Sequence, residues 1–406
     1  MNHVAIIGAS LAGLSAAERL RDEGFTGTIT VVDAAPALPS DRPPLSKQVL
    51  AGTMEIEKAT LPAARRLDDL DLDLRLGRSA TALSVADRRV TLDDGTELTA
   101  DEIVIATGAA PRLLDTELRG VHVVRDLGQS LALRAELQAD PTARVVVVGA
   151  GFIGAEVAAT CRTLGHEVTL IETQPWPLQR VLKPEIGRFI ADLHIEHGVD
   201  VRLGVGVDEL IGDTTVRRVR LTDGSVVDAT VVVAGIGVIP SVGWLEGSGL
   251  DITNGVRCDE RLVAAPGISA IGDIARWPNP SYDGELMRIE QWENAVEQGS
   301  YVARRLMAGA SVGDGDATEF EPHRSVPWFW SDQYDRKLQL AGRVAPDDEI
   351  SVVEGSFEER RFVALFRRGD QCSAVLGVNR PRHVVGIRMQ LDAGPLSFDE
   401  ARSNFP

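Results

Sequence analysis

Cysteine is scarce in this 406-residue chain, which contains only Cys161, Cys258 and Cys372. The three positions are too far apart for a CxxC or CxxxxC redox pair, and they are too few for a metal cluster. We therefore expect no thiol chemistry and no bound metal. Each cysteine is predicted to be a small buried hydrophobic residue.

Long apolar runs are also missing. Val145–Val148 is a typical run, and it is far shorter than the roughly 18 residues that a membrane-spanning helix needs. The chain passes from Met1 into the strand-like Val4–Ile7 without the basic, apolar and cleavage-site segments of a secretory leader. We expect a soluble protein in the cytoplasm.

Basic residues are fewer than acidic ones: the chain has 42 Lys and Arg and 60 Asp and Glu, which gives a formal net charge of −18. This balance excludes broad binding to nucleic acid or to an acidic membrane, since both require a basic face. An acidic partner would need a local basic patch. The length and the 44% hydrophobic content predict two or three globular domains.

A strand, a glycine-rich turn, a helix and a second strand follow one another twice. The first copy has strands at His3–Ile7 and Thr28–Asp33, and the second has strands at Arg144–Val148 and Glu167–Glu172. The helices are predicted over 14–23 and 155–164. Each copy is followed by a hairpin with an Asp-Gly turn and then by a buried strand, near 103–108 and 231–237. The repeated order predicts two dinucleotide sites.

The second copy carries the complete GxGxxG pattern, Gly149-Ala-Gly151-Phe-Ile-Gly154, between a strand and a helix. The glycines allow a tight turn and close approach of a pyrophosphate, and the helix supplies unpaired N–H groups. Glu172 ends the next strand, where a carboxylate accepts a hydrogen bond from a ribose 2′-hydroxyl and repels a 2′-phosphate. The pattern favours NADH over NADPH. The predicted NADH-binding residues are Gly149, Gly151, Phe152, Ile153, Gly154, Glu172, Gly235 and Gly237.

The first copy, Gly8-Ala-Ser10-Leu-Ala-Gly13, has serine in place of the middle glycine. Asp33 is its candidate ribose carboxylate. On its own this pattern is compatible with a dinucleotide site and equally with an ordinary turn between a strand and a helix.

Four further segments resemble a known family: Arg42-Pro-Pro-Leu-Ser-Lys47, Ala106-Thr-Gly108, Gly267-Ile-Ser-Ala-Ile-Gly-Asp273 and Pro327-Trp-Phe-Trp-Ser-Asp-Gln333. Together the chain resembles the NADH-dependent ferredoxin reductases of the glutathione-reductase fold. The resemblance implies an α/β protein with two Rossmann-like dinucleotide-binding domains and an α+β C-terminal domain. It implies an FAD domain of residues 1–110 and 239–315, an NADH domain of 111–238 and an interface domain of 316–406, with a linker near 309–316.

The same resemblance implies FAD in the first copy and NADH in the second. Lys47 would tune the flavin, and Glu156 would be its partner; the alternative is a surface lysine and an ordinary residue of a first helical turn. Ser40 and Ala34 depart from the family, which often has tyrosine and an acidic residue there. The residues implied for FAD are Gly8, Ser10, Leu11, Ala12, Gly13, Asp33, Arg42, Lys47, Ala80, Thr107, Gly108, Arg125, Asp273 and Trp292.

By this resemblance, NADH reduces the flavin, which then passes single electrons to a [2Fe–2S] ferredoxin serving a cytochrome P450 or a Rieske oxygenase. The alternatives are an NADH oxidase, a rubredoxin or nitrite reductase flavoprotein, and a flavin-bound signalling protein. The chain would be a monomer or a homodimer. The ferredoxin would dock on basic and aromatic residues, although arginine pairs are often only solvated and a Trp-Phe-Trp run often only packs between domains. The docking candidates are Arg65, Arg66, Arg304, Arg305, Trp328 and Trp330.

Overall fold

The computed structural model describes residues 1–309 and 320–406. The predicted linker at 309–316 therefore lies, apart from Gly309, outside the described residues. In chain order the helices are α1 (Leu11–Asp22), α2 (Gln48–Ala51), α3 (Leu127–Ala139), α4 (Phe152–Thr163), α5 (Pro184–Glu196), α6 (Trp292–Met307), α7 (Pro381–Ala393) and α8 (Phe398–Ser403).

The strands of the first third of the chain are β1 (His3–Ile7), β2 (Thr28–Asp33), β3 (Asp73–Leu76), β4 (Ala80–Ser84), β5 (Arg89–Leu92), β6 (Glu97–Thr99), β7 (Glu102–Ile105), β8 (Ala109–Pro111) and β9 (Val121–His122). The next are β10 (Arg144–Val148), β11 (Glu167–Glu172), β12 (Asp200–Leu203), β13 (Val207–Gly212), β14 (Val216–Leu221), β15 (Val226–Asp228), β16 (Val231–Ala234) and β17 (Val238–Pro240). The last are β18 (Val256–Arg257), β19 (Val263–Ala265), β20 (Ile268–Ala270), β21 (Ala275–Asn279), β22 (Glu285–Met287), β23 (Trp328–Gln333), β24 (Arg336–Gly342), β25 (Glu349–Ser356), β26 (Arg361–Arg368) and β27 (Gln371–Val378).

The chain forms two compact units, which are described separately. Unit 1 comprises Met1–Asp41, Thr60–Ala110 and Ile239–Pro327. Its main sheet has the order β19-β20-β7-β1-β2-β3, and neighbouring strands from β20 to β3 run parallel. The central strands β1 and β7 are apolar after their first residues, His3 and Glu102, because a parallel sheet is covered on both faces. Helices α1 and α6 pack against each other in this unit.

Unit 2 comprises Arg42–Ala59, Pro111–Val238 and Trp328–Pro406. One sheet, in the order β12-β11-β10-β16-β9, is parallel throughout. A second sheet, β23-β24-β27-β26-β25, is antiparallel and carries α7 and α8. The predicted α/β fold with two Rossmann-like parts and an α+β C-terminal part is confirmed.

The antiparallel C-terminal sheet is joined to the parallel part of unit 2 through α5. Ile186, Phe189 and Ile190 of this helix are buried in one apolar cluster with Phe362 and Leu376 of the sheet. The rings of Phe189 and Phe362 meet edge to face, with their centroids 5.2 Å apart. Apolar packing of this kind makes the C-terminal sheet a part of unit 2 and not a separate body.

The segment Arg42–Ala59 also belongs to unit 2, whereas the sequence analysis assigns it to the FAD domain. Its apolar side chains explain the difference: Leu45, Val49 and Leu50 are at most 1% exposed and lie in the same cluster as residues of α3 and α4. The remaining segments of unit 1 end at Ala110 and run from Ile239 to Pro327. The domain bounds given by the sequence analysis stay a prediction.

The two glycine-rich turns are shorter than predicted, because α1 and α4 begin three residues before the expected starts. The third glycine of each motif lies inside the helix, where it allows close packing on the preceding strand. The four strands that flank the turns have the predicted bounds. Across 1–309 and 320–406, no helix combines the length and apolarity that a bilayer crossing requires.

Leu50→Ala tests the placement of this segment. The side chain is 0% exposed, so its truncation is expected to cost about 2–5 kcal/mol of unfolding free energy through lost burial and a residual cavity. Amide hydrogen exchange should accelerate in α3 and α4 and stay unchanged in β1 and β7. The control is Ile56→Ala, at a site 40% exposed, with an expected effect within about 0.5 kcal/mol. Faster exchange in β1 and β7 alone would show that the segment stabilises unit 1.

Candidate functional site

The first glycine-rich turn connects β1 to α1 in unit 1. Gly8 has a φ of +118°, and a Cβ at this position would lie 2.3 Å from the carbonyl oxygen that follows β7. A Cβ at Gly13 would lie 1.9 Å from the Gly8 carbonyl oxygen. Ser10 precedes α1 without a capping hydrogen bond from its side chain, and Leu11 and Ala12 form the first turn. The unpaired N–H groups of this turn suit a pyrophosphate.

The second turn connects β10 to α4 in unit 2 and repeats this geometry. Gly149 has a φ of +97°, and its Cβ would lie 2.5 Å from the Gly235 carbonyl oxygen. A Cβ at Gly154 would lie 1.9 Å from the Gly149 carbonyl oxygen. Gly151 differs, because the nearest atom to a Cβ there is 3.9 Å away. The middle glycine therefore borders open space, as a residue against a phosphate must.

The other three NADH candidates also lie near this turn or its neighbouring strand. Phe152 is the first residue of α4, and its ring centroid is 4.2 Å from that of Phe329. Ile153 is 42% exposed. Gly237 has a φ of +95° with no atom within 4 Å of a Cβ. Phe152 is thus held by packing, while Ile153 and Gly237 face free space.

Asp33 and Glu172 occupy equivalent places in the two parallel sheets. The Asp33 carboxylate accepts hydrogen bonds from the backbone N–H groups of Ala9 at 2.6 Å and Ala35 at 2.8 Å. The Glu172 carboxylate accepts from Ala150 at 2.8 Å and from Gln174 at 2.9 Å. The Thr173 hydroxyl also donates to Glu172 Oε1 at 3.1 Å, so two donors already meet that oxygen. Glu172 Oε2 and both Asp33 oxygens keep capacity for a further donor such as a ribose hydroxyl. Asp33 and Glu172 therefore hold the same place relative to their turns.

In unit 1 the FAD candidates form a row at the carboxyl ends of adjacent parallel strands. Asp273 follows β20, Thr107 follows β7, Gly8 follows β1 and Asp33 ends β2, and the sheet order is β20-β7-β1-β2. Ligands of open parallel sheets bind at this edge. In unit 2, Glu172 on β11, Gly149 after β10 and the 235–237 segment after β16 form the corresponding row. These rows fit two dinucleotides.

Several of the FAD candidates already have protein partners. Thr107 donates its hydroxyl to the Ser241 carbonyl oxygen at 3.1 Å, next to Gly108, which has a φ of +64°. Trp292 begins α6, and its indole N–H donates to Asp41 Oδ1 at 2.9 Å. The sequence analysis did not identify either partner, Ser241 or Asp41.

Besides Lys47, which belongs to unit 2 and is described below, three FAD candidates lie outside the row in unit 1. Ala80 begins β4, in a different sheet of the same unit. Arg42 and Arg125 belong to unit 2, and the Arg125 N–H donates to Gln129 Oε1 at 2.9 Å, next to the capping box of α3. The assignment of these three residues to FAD stays a prediction.

Glu156 is the centre of a buried polar cluster in unit 2. The residue is 3% exposed and lies one turn after the start of α4. Its Oε2 accepts hydrogen bonds from Ser46 Oγ at 2.6 Å and from Lys47 Nζ at 2.9 Å. Its Oε1 accepts from Ser331 Oγ at 3.0 Å and from the Asp332 N–H at 3.2 Å. The structure therefore brings together the predicted pair of Lys47 and Glu156, and it adds donors that the sequence analysis missed.

Most of the docking candidates reach solvent. Arg65, Arg66 and Arg304 are exposed, and Arg66 forms an ion pair with Glu18 at 2.6 Å. Trp328 and Trp330 are half-buried, and their ring centroids are 5.5 Å apart. A further cation, the guanidinium of Arg388, lies over the Trp328 ring at 4.7 Å.

Arg305 is not a surface residue, so its prediction as a docking residue is wrong. It is 1% exposed, and its guanidinium donates to the Arg261 carbonyl oxygen and to Ser269 Oγ, both at 2.6 Å. Desolvation lowers the pKa of this guanidinium, and the Glu102 carboxylate opposes that shift. The signal was present in the sequence: Arg305 follows the buried Tyr301 by four residues and therefore lies on the apolar stripe of α6.

The cysteines do not form a reactive site. All three are free and buried. Burial raises the pKa of the Cys161 and Cys258 thiols to about 12 and that of Cys372 to about 11, so all remain protonated at neutral pH. Within residues 1–309 and 320–406, no three His, Cys, Asp or Glu side chains are grouped so that they could hold a metal ion.

Comparison with known proteins covers nearly the whole chain. Residues 2–299 match the model of the pyridine nucleotide-disulphide oxidoreductase family, and residues 328–403 match that of the reductase C-terminal domain. Rhodocoxin reductase from Rhodococcus erythropolis is 38% identical over 98% of this chain and 91% of its own length. Putidaredoxin reductase from Pseudomonas putida is 36% identical over 94% of this chain and 89% of its own.

Solved structures agree with these matches. The covalent complex of putidaredoxin reductase with putidaredoxin matches with a TM-score of 0.90 at 34% identity, over 97% of this chain and 93% of that chain. A ferredoxin reductase for the CYP199A2 system from Rhodopseudomonas palustris also gives 0.90, at 33% identity, over 100% and 99% of the two chains. The chain therefore belongs to the pyridine nucleotide-disulphide oxidoreductase family, and within it to the NAD-dependent ferredoxin reductases.

Proposed function

We propose that this protein is an FAD-dependent NADH:ferredoxin oxidoreductase whose [2Fe–2S] ferredoxin serves an oxygenase, either a cytochrome P450 or a Rieske enzyme. The observation that supports this most directly is the pair of matching rows of residues at the carboxyl ends of two parallel sheets. FAD held at the row in unit 1 would supply the exchange between the two-electron donor NADH and a one-electron acceptor, which the protein's side chains cannot supply. Relatives named as reductase components of p-cumate and benzene dioxygenase systems support the oxygenase assignment.

The chain's own residues bind and orient the two nucleotides. In unit 1, the N–H groups at the start of α1 would receive the FAD pyrophosphate, Asp33 would bind the adenosine ribose, and Asp273 would bind the sugar chain of the flavin. In unit 2, the start of α4 receives the NADH pyrophosphate, and Glu172 binds the adenosine ribose. Because the reaction is a transfer between cofactors, the protein's contribution is positioning and electrostatics, and no general acid or base is required.

Lys47 supplies the positive charge of the site. Its ammonium is held at 2.9 Å from a carboxylate that is itself 3% exposed, so the charge is fixed in place and poorly screened by water. We assign to Lys47 the role of stabilising negative charge that develops on the flavin ring, and to Glu156 the role of holding it there. This assignment rests on the family's pattern together with the observed ion pair.

A stopped-flow experiment tests the proposed acceptor. Enzyme reduced with NADH under anaerobic conditions is mixed either with members of a panel of [2Fe–2S] ferredoxins or with O₂ alone. We expect rapid reduction of at least one ferredoxin and slow reaction with O₂. Rapid oxidation by O₂ with no ferredoxin reduced would instead indicate an NADH oxidase. A long-lived charge-transfer complex with slow NADH turnover would indicate the signalling alternative.

Glu172→Gln tests the assignment of NADH. The amide keeps one acceptor oxygen, and its NH2 group would face one of the two backbone N–H groups that the carboxylate now accepts. It loses the charge that strengthens the bond to the 2′-hydroxyl and repels a 2′-phosphate. The ratio of kcat/KM for NADH to kcat/KM for NADPH should fall by about 10- to 100-fold, because a hydrogen bond to a charged group contributes about 1.5–3 kcal/mol. Glu167→Gln, at the exposed start of the same strand, should leave the ratio unchanged. An unchanged ratio in Glu172→Gln would exclude this role.

The double charge reversal Arg65→Glu/Arg66→Glu tests the docking site. Reversing two exposed charges should weaken steering of an acidic ferredoxin and raise its KM about tenfold at low salt, with a smaller effect as salt increases. NADH-dependent reduction of ferricyanide serves to normalise the rates. The matched control is Arg217→Glu/Arg218→Glu, an exposed arginine pair on β14 in unit 2. Equal effects of the two pairs would indicate a general charge effect and contradict docking at Arg65 and Arg66.

A further inference from the structure

We propose that Ser331, together with the backbone N–H of Asp332, is a positioning element for Lys47 that acts through the carboxylate of Glu156. Neither residue is among those that the family pattern implies for FAD or NADH. The inference rests on the role proposed above for Lys47. It concerns residues of unit 2 only.

The Glu156 carboxylate has a complete set of hydrogen-bond donors. A carboxylate has about four lone-pair positions, and here two donors meet each oxygen. Ser46 and Lys47 share Oε2, whereas Ser331 and the Asp332 N–H share Oε1. With Oε1 held from one side, rotation of the carboxylate about its terminal bond is blocked. The position of Oε2, and with it the position of the Lys47 ammonium, is then determined.

The Ser331 hydroxyl has one direction in which it can donate. Ser331 is 0% exposed, and its Oγ accepts a hydrogen bond from Gln333 Nε2 at 3.2 Å. Gln333 is also 0% exposed. A hydroxyl that accepts from one neighbour is left with its single proton for the other, so the Ser331 proton points to Glu156 Oε1. The serine therefore donates to the carboxylate and does not compete with Lys47.

Two contacts fix the register between β23 and α4. Phe329, Ser331 and Gln333 alternate along the strand and so share one face. Phe152 and Glu156 are four residues apart and share one face of the helix. The ring contact of Phe329 with Phe152 and the hydrogen bond of Ser331 to Glu156 therefore come from the same pairing of faces. Because β23 contacts α4 at these two points, the strand cannot shift along the helix without breaking both the ring contact and the hydrogen bond.

The backbone that carries Lys47 is anchored separately. Thr160 donates its hydroxyl to the Ser46 carbonyl oxygen at 2.8 Å, and Ser130 donates to the Leu45 carbonyl oxygen at 2.6 Å. These two bonds fix the main chain on α4 and α3, but they do not restrict the four-carbon side chain of Lys47. Glu156 restricts the side chain, and Ser331 restricts Glu156.

Ser331→Ala removes one donor from the buried carboxylate, and Ser331→Thr keeps it. The readout is pulse acetylation of the holoenzyme, measured at Lys47 by peptide mass spectrometry. Lys58, whose side chain is 67% exposed and forms an ion pair with Glu55, is the internal reference. We expect Lys47 labelling relative to Lys58 to rise about threefold or more in Ser331→Ala, since a looser ion pair leaves the amine free more often. Ser331→Thr should return the ratio toward the original value.

Ser373→Ala is the matched control. Ser373 lies in the same C-terminal sheet and donates its hydroxyl to Asp348, a carboxylate 2% exposed, at 2.8 Å. This variant loses the same kind of hydrogen bond to a buried carboxylate, so it should destabilise the fold to a similar degree while leaving Lys47 labelling unchanged. Equal labelling in the two alanine variants would overturn the proposal. If Ser331→Ala does not fold, Ser331→Cys replaces it, since a thiol is a weaker donor than a hydroxyl. Its ratio of Lys47 to Lys58 labelling should lie between those of the original protein and of a variant without the donor, and an unchanged ratio would also overturn the proposal.

Kinetics separate this inference from the proposed function. In Ser331→Ala, the limiting rate of flavin reduction should fall about tenfold, because the lost hydrogen bond corresponds to about 1.4 kcal/mol. The Kd for NADH should stay within about twofold, because Ser331 is not among the residues assigned to the nucleotide. Lys47→Gln should be slower still. A normal rate in Lys47→Gln would refute the assigned role of Lys47, and the labelling ratio would still decide whether Ser331 positions it. A normal rate in Ser331→Ala beside a slow Lys47→Gln would refute the inference alone.

Discussion

The buried carboxylate of Glu156 is the constraint on which the organisation of unit 2 depends. A carboxylate that is 3% exposed is tolerated only when hydrogen-bond donors surround it. The donors to Glu156 come from the 42–59 segment, which binds Oε2, and from β23, which binds Oε1. Chain segments far apart in sequence must therefore meet at one helix. The same helix begins at the second glycine-rich turn, so the hydrogen bonds that satisfy Glu156 also fix the start of α4 relative to Lys47.

The two nucleotide turns share one physical solution despite their different sequences. In both, the first glycine adopts positive φ and the third lies where a Cβ would approach a carbonyl oxygen within 1.9 Å. In both, a carboxylate at the end of the next strand accepts an N–H of the turn, at Asp33 in one and Glu172 in the other. Only the middle position tolerates serine, because this position faces outward and not into the packed turn. The carboxylate thus supports the turn as well as offering an acceptor to a ribose.

Local patterns predicted much of this fold. The strands that flank each turn have the predicted ends because apolar runs in a parallel sheet stop where burial stops. The helix starts were placed too late, because a glycine inside a first helical turn resembles a loop in sequence. The attachment of Arg42–Ala59 to unit 2 and the Ser331 contact depend on packing between distant segments, which periodicity does not contain. Arg305 was a different case, since the spacing from Tyr301 already placed it on the buried stripe.

The segment around Lys47 also explains how a member of a family named for disulphide chemistry works without a thiol there. Ser46 is the only hydroxyl or thiol residue beside Lys47 in its helix-capping turn, and its hydroxyl is used as a donor to Glu156 at 2.6 Å. The three cysteines are buried with raised pKa values, so none is a thiolate at neutral pH. Electrons that enter this protein consequently have no covalent relay among its own side chains. A flavin held by unit 1 would then have to pass its electrons directly to the acceptor, and single-electron transfer across a protein surface, as to a [2Fe–2S] ferredoxin, would need no thiol.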